Sequence, residues 1–350
     1  MVRIAIIGTG GMAHYHAKQF QAIKGCQVTA CSDIAPGRAA AFAEQYHIPA
    51  AYEDTAIMLK KEKLDGVSVV TVDRAHAPVA LLAIRHGLHV MCEKPLADNL
   101  PAARQMAAAA RNKKRLTAIH FSYRNAPATQ KAAELVAAGA LGRIIHVEGS
   151  YLQCWLASQA WGDWRKREGL LWRLSTKHGS AGVLGDIGVH LYDLASFVVG
   201  DITEVACELK TFDKGLKRIG PYVFDANDSA VSMVRFRNGA IGTLHTTRWA
   251  TGHGNTVALR VYGDKGALDL NLDRPAPETL RVCLGKDADK NRWKTVKCPP
   301  TPNMCERFVT SIKRGKQGQT SFAGGTKVQA YLHYSFLSAA RGGKFVKVSA

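Results

Sequence analysis

The feature that most constrains this chain is a glycine-rich segment near its start, Gly8-Thr9-Gly10-Gly11-Met12-Ala13, which fits G-x-G-x-x-A. It follows the apolar run 2–8 and opens a helical pattern over 12–23. In this setting the first glycine permits a tight turn, the second lets a ligand approach the backbone, and the small third residue allows close helix–strand packing. Unpaired N–H groups at the helix N-terminus bind phosphate. The segment predicts a strand–turn–helix unit that binds a dinucleotide.

The acidic residue at the end of the next predicted strand indicates which dinucleotide binds. Residues 28–33 form that strand, and its last residue, Asp33, stands where a carboxylate meets ribose hydroxyls. A carboxylate accepts two hydroxyls and repels a 2′-phosphate, which favours NAD. Arg38 lies five residues further on and could turn toward a 2′-phosphate with help from Ser32, so NADP stays open.

Short apolar runs alternate with helical patterns through the first 121 residues. Strands are predicted over 2–8, 28–33, 66–72, 89–92 and 116–121, and helices over 12–23, 36–46, 77–86 and 99–112. This alternation is typical of a doubly wound parallel sheet with helices on both faces. We therefore predict an α/β Rossmann domain over residues 1–121.

After residue 121 the pattern changes to longer segments with alternating apolar residues. A helix is predicted over 128–138 and strands over 144–153, 205–212, 230–237, 240–249, 256–262, 267–270 and 280–283, with a hairpin signal at Asn238-Gly239. Two late helices are predicted over 304–314 and 325–340. Residues 122–350 thus predict an α+β domain with a large open, mostly antiparallel sheet for substrate binding and oligomerisation. The C-terminal helix is expected to pack back on the first domain.

Oligomerisation follows from that open sheet. An open antiparallel sheet exposes an apolar face, and pairing about a two-fold axis would cover it. We expect a homodimer or homotetramer.

Composition excludes several classes of protein. With 350 residues, 47% hydrophobic and 21% charged, the chain is globular and long enough for two domains. No apolar run reaches about 18 residues, and the N-terminal run is too short for a signal peptide, so no membrane partner and a cytoplasmic location are expected. None of the eight cysteines forms a C-x-x-C pair, so no metal site is expected.

The net charge of +19 permits an anionic partner. The basic residues are dispersed, however, and no nucleic-acid-binding motif accompanies them, so nucleic acid is not expected. The charge mildly favours an acidic or phosphorylated substrate, with a neutral one still open.

Two further segments carry side chains of catalytic type. Glu93-Lys94-Pro95 directly follows a predicted strand, at the sheet edge where doubly wound folds bind ligands. The segment 182–193, GVLGDIGVHLYD, spaces Asp186, His190 and Asp193 at i, i+4 and i+7. That spacing places the three on one face of a helix.

These motifs resemble those of the Gfo/Idh/MocA family of oxidoreductases, which includes glucose–fructose oxidoreductase and inositol dehydrogenase. The resemblance rests on GTGGMA, on EKP at 93–95 and on 182–193, and it extends over essentially the whole chain. It implies a Rossmann domain followed by an open sheet that bears the substrate site. It also implies NAD(P)-dependent hydride transfer to or from a secondary hydroxyl or ketone of a sugar, polyol or sugar derivative.

The resemblance also implies roles for single residues. His190 matches the general base, Lys94 the group that binds the reacting oxygen, and Asp186 a ligand of substrate hydroxyls. An imidazole suits a general base because its ordinary pKa is near 6.5. The expected cofactor contacts are Gly8, Thr9, Gly10, Gly11, Met12, Asp33, Arg38, Thr71, His76, Glu93 and Lys94. Asp73-Arg74 departs from the Pro-Asn often found in the family.

The segment 151–173 is rich in aromatic side chains interleaved with arginines. Aromatic rings stack on sugar rings, and arginines bind hydroxyls or phosphates. Packing of this segment on a neighbouring subunit is the alternative. The expected substrate contacts are Arg124, Tyr151, Trp155, Trp164, Arg165, Trp172 and Arg173, with Arg248 and His253 as weaker candidates.

Two other activities stay open. One is an NAD-dependent glycosidase on the same fold, in which the bound NAD oxidises a sugar carbon transiently and shows no net turnover. The other is a catalytically inactive, NAD-sensing regulator, against which Lys94, Asp186 and His190 argue.

Overall fold

The computed structural model describes residues 1–273 and 276–349 and forms two compact units. The first unit comprises Met1–Ser122 and Pro302–Gln329, and the second Tyr123–Thr301 and Ala330–Ala350. The sequence predicts one boundary after residue 121 and a C-terminal helix that packs back on the first domain. In the structure, Pro302–Gln329 belongs to the first unit. In the described ranges, no helix combines the length and apolar character that crossing a membrane requires.

The first unit holds a six-stranded parallel sheet in the order β3-β2-β1-β4-β5-β6. The strands are β1 Val2–Ile7, β2 Cys26–Ser32, β3 Ala50–Tyr52, β4 Gly66–Val69, β5 His89–Cys92 and β6 Thr117–Ile119. The helices between them are α1 Gly11–Gln21, α2 Arg38–Tyr46, α3 Thr55–Lys61, α4 Asp73–Arg85 and α5 Leu100–Asn112. Strand β3 and helix α3 are additions to the predicted elements, because a three-residue strand and a seven-residue helix leave little periodic signal.

Helix α9, Met304–Arg314, explains why the chain returns to this unit. Its residues Met304, Cys305, Phe308 and Val309 are all buried in the same apolar cluster as strand β1. That spacing forms one apolar face of a helix. An Asn303–Glu306 capping box fixes where the helix starts.

The second unit is built on a nine-stranded sheet in the order β16-β15-β14-β13-β7-β12-β11-β8-β17. Its neighbours pair antiparallel except β7 with β12, which are parallel. The strands are β7 Ile144–Leu152, β8 Ile202–Lys210, β11 Ser229–Phe236, β12 Ile241–Thr247, β13 Thr256–Gly263, β14 Gly266–Asn271, β15 Thr279–Leu284, β16 Lys294–Thr295 and β17 Val346–Lys347, and a separate hairpin joins β9 Arg218–Ile219 to β10 Tyr222–Val223.

Helices cover one face of this sheet and leave the other open. They are α6 Pro127–Ala137, α8 Val189–Val199 and the C-terminal part of α10 Phe322–Ala340. The short helix α7, Glu168–Leu171, lies in the segment between β7 and α8. Gly149 on β7 permits close packing of α8, since a Cβ there would lie 3.0 Å from Leu191 Cδ1 and 2.7 Å from Leu244 Cδ2. On β11 the burial alternates strictly, which leaves every second side chain exposed on the open face.

Candidate active site

The glycine-rich turn after β1 is shaped for a ligand. Gly8 has a φ of +87°, and a Cβ there would lie 2.7 Å from the Val70 carbonyl oxygen, so only glycine fits. At Gly10 and Gly11 an added Cβ would meet nothing within 4 Å. Gly10 is the residue before α1, and no side chain there caps the N–H groups of the first turn. Met12, in that turn, is exposed. The turn therefore offers uncovered backbone and a helix N-terminus, which fit the pyrophosphate of NAD.

Asp33 follows β2 and is held by this same turn. Its Oδ2 accepts hydrogen bonds from the Thr9 backbone N–H (2.8 Å) and hydroxyl (2.9 Å), and its Oδ1 accepts one from the Ala35 N–H (2.9 Å). Burial raises the pKa of Asp33, but these hydrogen bonds and the nearby Arg38 outweigh burial, so the net shift is downward. Arg38 is largely exposed, with its Nη1 3.8 Å from Asp33 Oδ2. A fixed carboxylate thus follows β2, the position at which Rossmann folds commonly carry an acidic residue for the ribose.

Replacing Asp33 by asparagine should shift the preference from NAD toward NADP. The change removes the charge that repels a 2′-phosphate, while the amide oxygen still accepts from Thr9. We expect the NADP-to-NAD ratio of kcat/KM to rise roughly 10- to 100-fold, the equivalent of about one hydrogen bond to a charged group. Initial rates at 340 nm with each cofactor give the ratio. Arg38→Ala is the control that should not raise it, and an unchanged ratio in Asp33→Asn would contradict the assignment.

The side chains of two predicted cofactor residues form hydrogen bonds with other groups of the protein. His76 is fully buried, with Nδ1 2.8 Å from the Pro95 carbonyl oxygen and Nε2 3.1 Å from that of Thr71. Glu93 is also buried, and its Oε1 lies 2.9 Å from a ring nitrogen of His16 and of His120. Both side chains are bonded to neighbouring protein groups, and their contacts with the cofactor stay predictions.

Lys94 follows Glu93 at the carboxyl edge of the parallel sheet. It is half-buried, and its backbone N–H donates to Glu93 Oε2 at 3.1 Å. This is the edge at which doubly wound sheets bind ligands. Thr71 lies at the same edge, after β4, with its hydroxyl bonded to the Val72 carbonyl.

In the second unit, Asp186 lies in a π-helical turn, Leu184–Gly188, directly before α8. Its Oδ2 accepts hydrogen bonds from Arg248 Nη2 (2.9 Å) and Arg173 Nε (3.3 Å). Arg248 is fully buried and also donates from Nη1 to the Arg173 carbonyl oxygen. Burial lowers the pKa of Arg248, and Asp186 opposes that shift. Two guanidinium groups therefore compensate the charge of Asp186.

His190 lies one turn further on, in the first turn of α8, and is buried against two tyrosines. Its ring stands edge-on to Tyr123, with centroids 5.2 Å apart, and 6.3 Å from Tyr151. The two tyrosine hydroxyls are 2.9 Å apart, and Asn255 bonds to both. Burial, Tyr123 and Asp186 all raise the pKa of Tyr151 well above its ordinary value.

Sequence reasoning did not identify Tyr123 or Asn255 as part of this site, in which Gln153 also takes part. Gln153 donates to Asn255 Oδ1 at 2.9 Å and accepts from the Trp155 indole N–H at 3.0 Å. Tyr123 and Asn255 are 132 residues apart, so no local pattern could join them. Their only signals were proximity to Arg124 and to the glycine-rich turn around His253.

Asp193 and Arg124 are bonded to each other rather than directed at a ligand. Arg124 Nε donates to Asp193 Oδ2 at 3.1 Å, a second guanidinium nitrogen bonds Oδ1, and the guanidinium stacks on Phe197 at 4.6 Å. Burial raises the pKa of Asp193, and Arg124 opposes that shift. This buried pair links Arg124 to α8, and the substrate contact of Arg124 stays a prediction.

Two of the predicted aromatic substrate contacts lie inside the apolar core of the second unit. Trp155 and Trp164 are buried in an apolar cluster with Leu170, Leu171 and Phe224, so they support the unit from within. Arg165 is half-exposed and stacks on Trp164.

Two of the remaining predicted contacts lie near the Asp186–His190 segment. Arg173 bonds Asp186, and Tyr151 packs beside His190. Trp172 is partly buried, with the Arg173 guanidinium 4.8 Å from its ring centroid.

Comparison with known proteins places this arrangement in a family. Models of an oxidoreductase family with an NAD-binding Rossmann fold and of a GFO/IDH/MocA C-terminal domain match residues 2–121 and 129–269. The levoglucosan dehydrogenase of Pseudarthrobacter phenanthrenivorans is 30% identical over 281 residues, 76% of this chain and 70% of that protein. The chain belongs to the GFO/IDH/MocA family. The resemblance and fold class predicted from sequence are thereby confirmed.

Other similar proteins agree on oxidoreductase chemistry. The D-glucoside 3-dehydrogenase of Escherichia coli is 32% identical over 256 residues, which cover 70% of each chain. A solved levoglucosan dehydrogenase in complex with NADH and levoglucosan superposes with a TM-score of 0.89, at 26% identity and 100% coverage of both chains. This family member is accordingly an oxidoreductase with an NAD-binding domain, as predicted.

Proposed function

We propose that this protein oxidises a secondary hydroxyl group of a sugar or sugar derivative to a ketone with NAD, or carries out the reverse reduction. The observation that carries the proposal is that His190 and Asp186 lie one turn apart on the same segment. His190 is buried beside two tyrosines, and Asp186 is held by two guanidinium groups. The imidazole of His190 can act as a base, and the carboxylate of Asp186 can accept hydrogen bonds from substrate hydroxyls. The sugar-oxidising relatives support this substrate class.

The proposed roles balance the reaction. The glycine-rich turn and Asp33 would hold NAD, which would supply an acceptor for the hydride of the carbinol carbon. His190 takes the hydroxyl proton as general base. Lys94, an ammonium donor at the carboxyl edge of the parallel sheet, is proposed to stabilise negative charge that develops during the reaction. Asp186 accepts hydrogen bonds from substrate hydroxyls and orients the ring, since its ionised carboxylate is an acceptor only.

The test is a 340 nm assay of the full chain with NAD against sugars, anhydrosugars, polyols, sugar acids and sugar phosphates. A neutral sugar is expected among the best substrates. The sugar acids and phosphates test whether the net charge of +19 selects anions. If no member of the panel reduces NAD and no corresponding ketone oxidises NADH, the proposal is wrong.

We also propose that the open face of the nine-stranded sheet pairs with a second copy of the chain. Val231, Met233 and Ile241 are exposed there, each by about half of its surface (55%, 51% and 54%), on the adjacent strands β11 and β12. The ion pairs Arg235–Glu204 and Arg260–Glu148 flank this apolar patch. An apolar centre with a polar rim is typical of subunit interfaces.

Met233→Lys should therefore dissociate the oligomer, because a lysine at the centre of the interface would be buried without a partner. Light scattering after gel filtration should give at least twice the mass of one chain for the unmodified protein and a single chain for the variant. Ile57→Lys, on an exposed residue of the first unit, is the control that should not change the mass. A monomeric unmodified protein at micromolar concentration would contradict the proposal.

We further propose that the protein is cytoplasmic. All eight cysteines are free, and six of them are buried. Reduced thiols are typical of proteins in that compartment.

A further inference from the structure

A buried polar cluster in the first unit joins four elements at the carboxyl edge of the parallel sheet. His16 comes from α1, Ser68 from β4, Glu93 from the end of β5 and His120 from the end of β6. All four are buried, and two of them are fully inaccessible to solvent. Burying a carboxylate and two imidazoles is costly unless every polar atom is paired, so their arrangement calls for a reason.

The hydrogen bonds of this cluster converge on Glu93. Its Oε1 lies 2.9 Å from His16 Nε2 and 2.9 Å from His120 Nδ1, so both nitrogens serve as donors. The other ring nitrogen of His16 is 2.9 Å from the Ser68 hydroxyl, which donates to it. Burial raises the pKa of Glu93, but the charges and hydrogen bonds of His120 and His16 outweigh burial and hold that pKa well below its usual value. Glu93 is therefore an ionised, fixed acceptor.

The second oxygen of Glu93 faces the next residue. Oε2 accepts the backbone N–H of Lys94 at 3.1 Å. On the other side of Lys94, His76 bonds the carbonyl oxygen of Pro95 at 2.8 Å. The lysine backbone is thus held on both sides by buried groups. A lysine side chain is long and flexible, so a fixed backbone restricts where its ammonium group can reach.

We propose that His16, Glu93 and His120 are positioning residues for Lys94, which they hold in place through its backbone. This rests on the role given to Lys94 in the proposed function. The three do not contact the reacting atoms. They act by keeping the lysine where its ammonium group stabilises charge on the substrate oxygen.

The same three side chains also have the chemistry of metal ligands, and their ligand atoms lie within 4.8 Å of one another. Atoms bound to a tetrahedral zinc ion at about 2.0–2.1 Å would stand about 3.3 Å apart. The two separations of 2.9 Å are instead ordinary hydrogen-bond lengths. The hydrogen-bonded interpretation is therefore favoured. A stoichiometric zinc ion in the purified protein, measured by elemental analysis, would overturn it.

The experiment is a double-mutant cycle on the full chain with the best substrate of the panel. His120→Phe keeps a ring but removes the donor to Glu93. We expect it to lower kcat roughly 10- to 100-fold, the effect of a misplacement of about 1 Å, with little change in KM or in the dissociation constant of NAD. In a Lys94→Ala background the same change should cost less than two-fold, because the residue through which it acts is gone.

Controls separate the possible failures. Glu93→Gln places an amide donor where the carboxylate accepts the Lys94 N–H, and it should lower kcat to the same extent as His120→Phe. It serves as the second variant where His120→Phe does not fold. His86→Phe, on an exposed histidine of the same unit, should leave kcat unchanged. Full activity of Lys94→Ala would overturn the role of Lys94 in the proposed function. A cost of His120→Phe that is equal in both backgrounds would overturn the positioning role alone.

Discussion

His190→Ala is expected to lower kcat for sugar oxidation roughly 100- to 10,000-fold, the range that general acid–base catalysis contributes. The imidazole is buried in the first turn of α8, against the rings of Tyr123 and Tyr151. Among the side chains near this segment, an imidazole is best suited to take a proton near neutral pH. The loss should appear in kcat more than in KM, because the proton is transferred in the transition state.

The fold should tolerate this change. Alanine has the highest helix propensity, so α8 retains its backbone, and the main cost is the space left beside the tyrosine rings. His333→Ala is a matched control, since this histidine is exposed on a helix of the second unit, away from the open face of the sheet. It should leave kcat within about two-fold of the unmodified value, as surface changes usually do. Initial rates at 340 nm measure both variants, and circular dichroism verifies the fold. A His190→Ala rate within ten-fold of the unmodified enzyme would show that another group is the base.

The sequence was sufficient for elements whose signal is local. The glycine at position 8 is required by backbone geometry, because its φ is positive and a Cβ would strike the Val70 carbonyl. Such a requirement is visible in a short motif. The strands β1, β4 and β5 are buried on both faces, so they read as continuous apolar runs between helices. These features were enough to predict the Rossmann unit.

Interactions between distant residues were beyond the sequence. The indoles of Trp155 and Trp164 become core residues because Phe224, more than 50 residues away, closes their cluster. From its sequence alone, the segment 151–173, with its interleaved arginines, resembles a binding surface as much as a core. Likewise, the spacing of Asp186 and His190 suggested an α-helical face, whereas the chain there forms a π-helical turn. Glycines at 182, 185 and 188 lower α-helix propensity and make that departure possible.

The pairing of Asp193 also depended on a distant partner. It lies three residues after His190, a spacing that favours a shared face, yet Arg124 bonds its carboxylate from 69 positions away. A buried carboxylate binds whichever cation the fold brings to it, since an unpaired charge there is costly. Sequence spacing could therefore propose the catalytic segment but not identify which of its carboxylates is occupied by the protein itself.

Arg248→Met is expected to destabilise the second unit by about 3–5 kcal/mol, the cost of breaking a buried ion pair. Arg248 is wholly buried, bonds Asp186 at 2.9 Å and stacks on the Trp155 ring at 5.1 Å. Methionine fills much of the volume but leaves Asp186 with Arg173, whose side chain is partly exposed. The penalty comes mainly from the carboxylate left without its buried partner.

The double variant Arg248→Met/Asp186→Asn separates this cause from simple loss of packing. If the loss of one of the two guanidinium partners of Asp186 is responsible, removing the charge of Asp186 should recover at least about half of the lost stability, and the two single changes should be non-additive by 1–3 kcal/mol. Urea unfolding followed by tryptophan fluorescence gives the free energies. All six tryptophans belong to the second unit, so this signal reports on that unit alone. Arg248→Lys keeps the charge and should cost less than Arg248→Met. Additive effects would mean that Arg248 stabilises the unit by packing and that Asp186 owes little of its charged state to it.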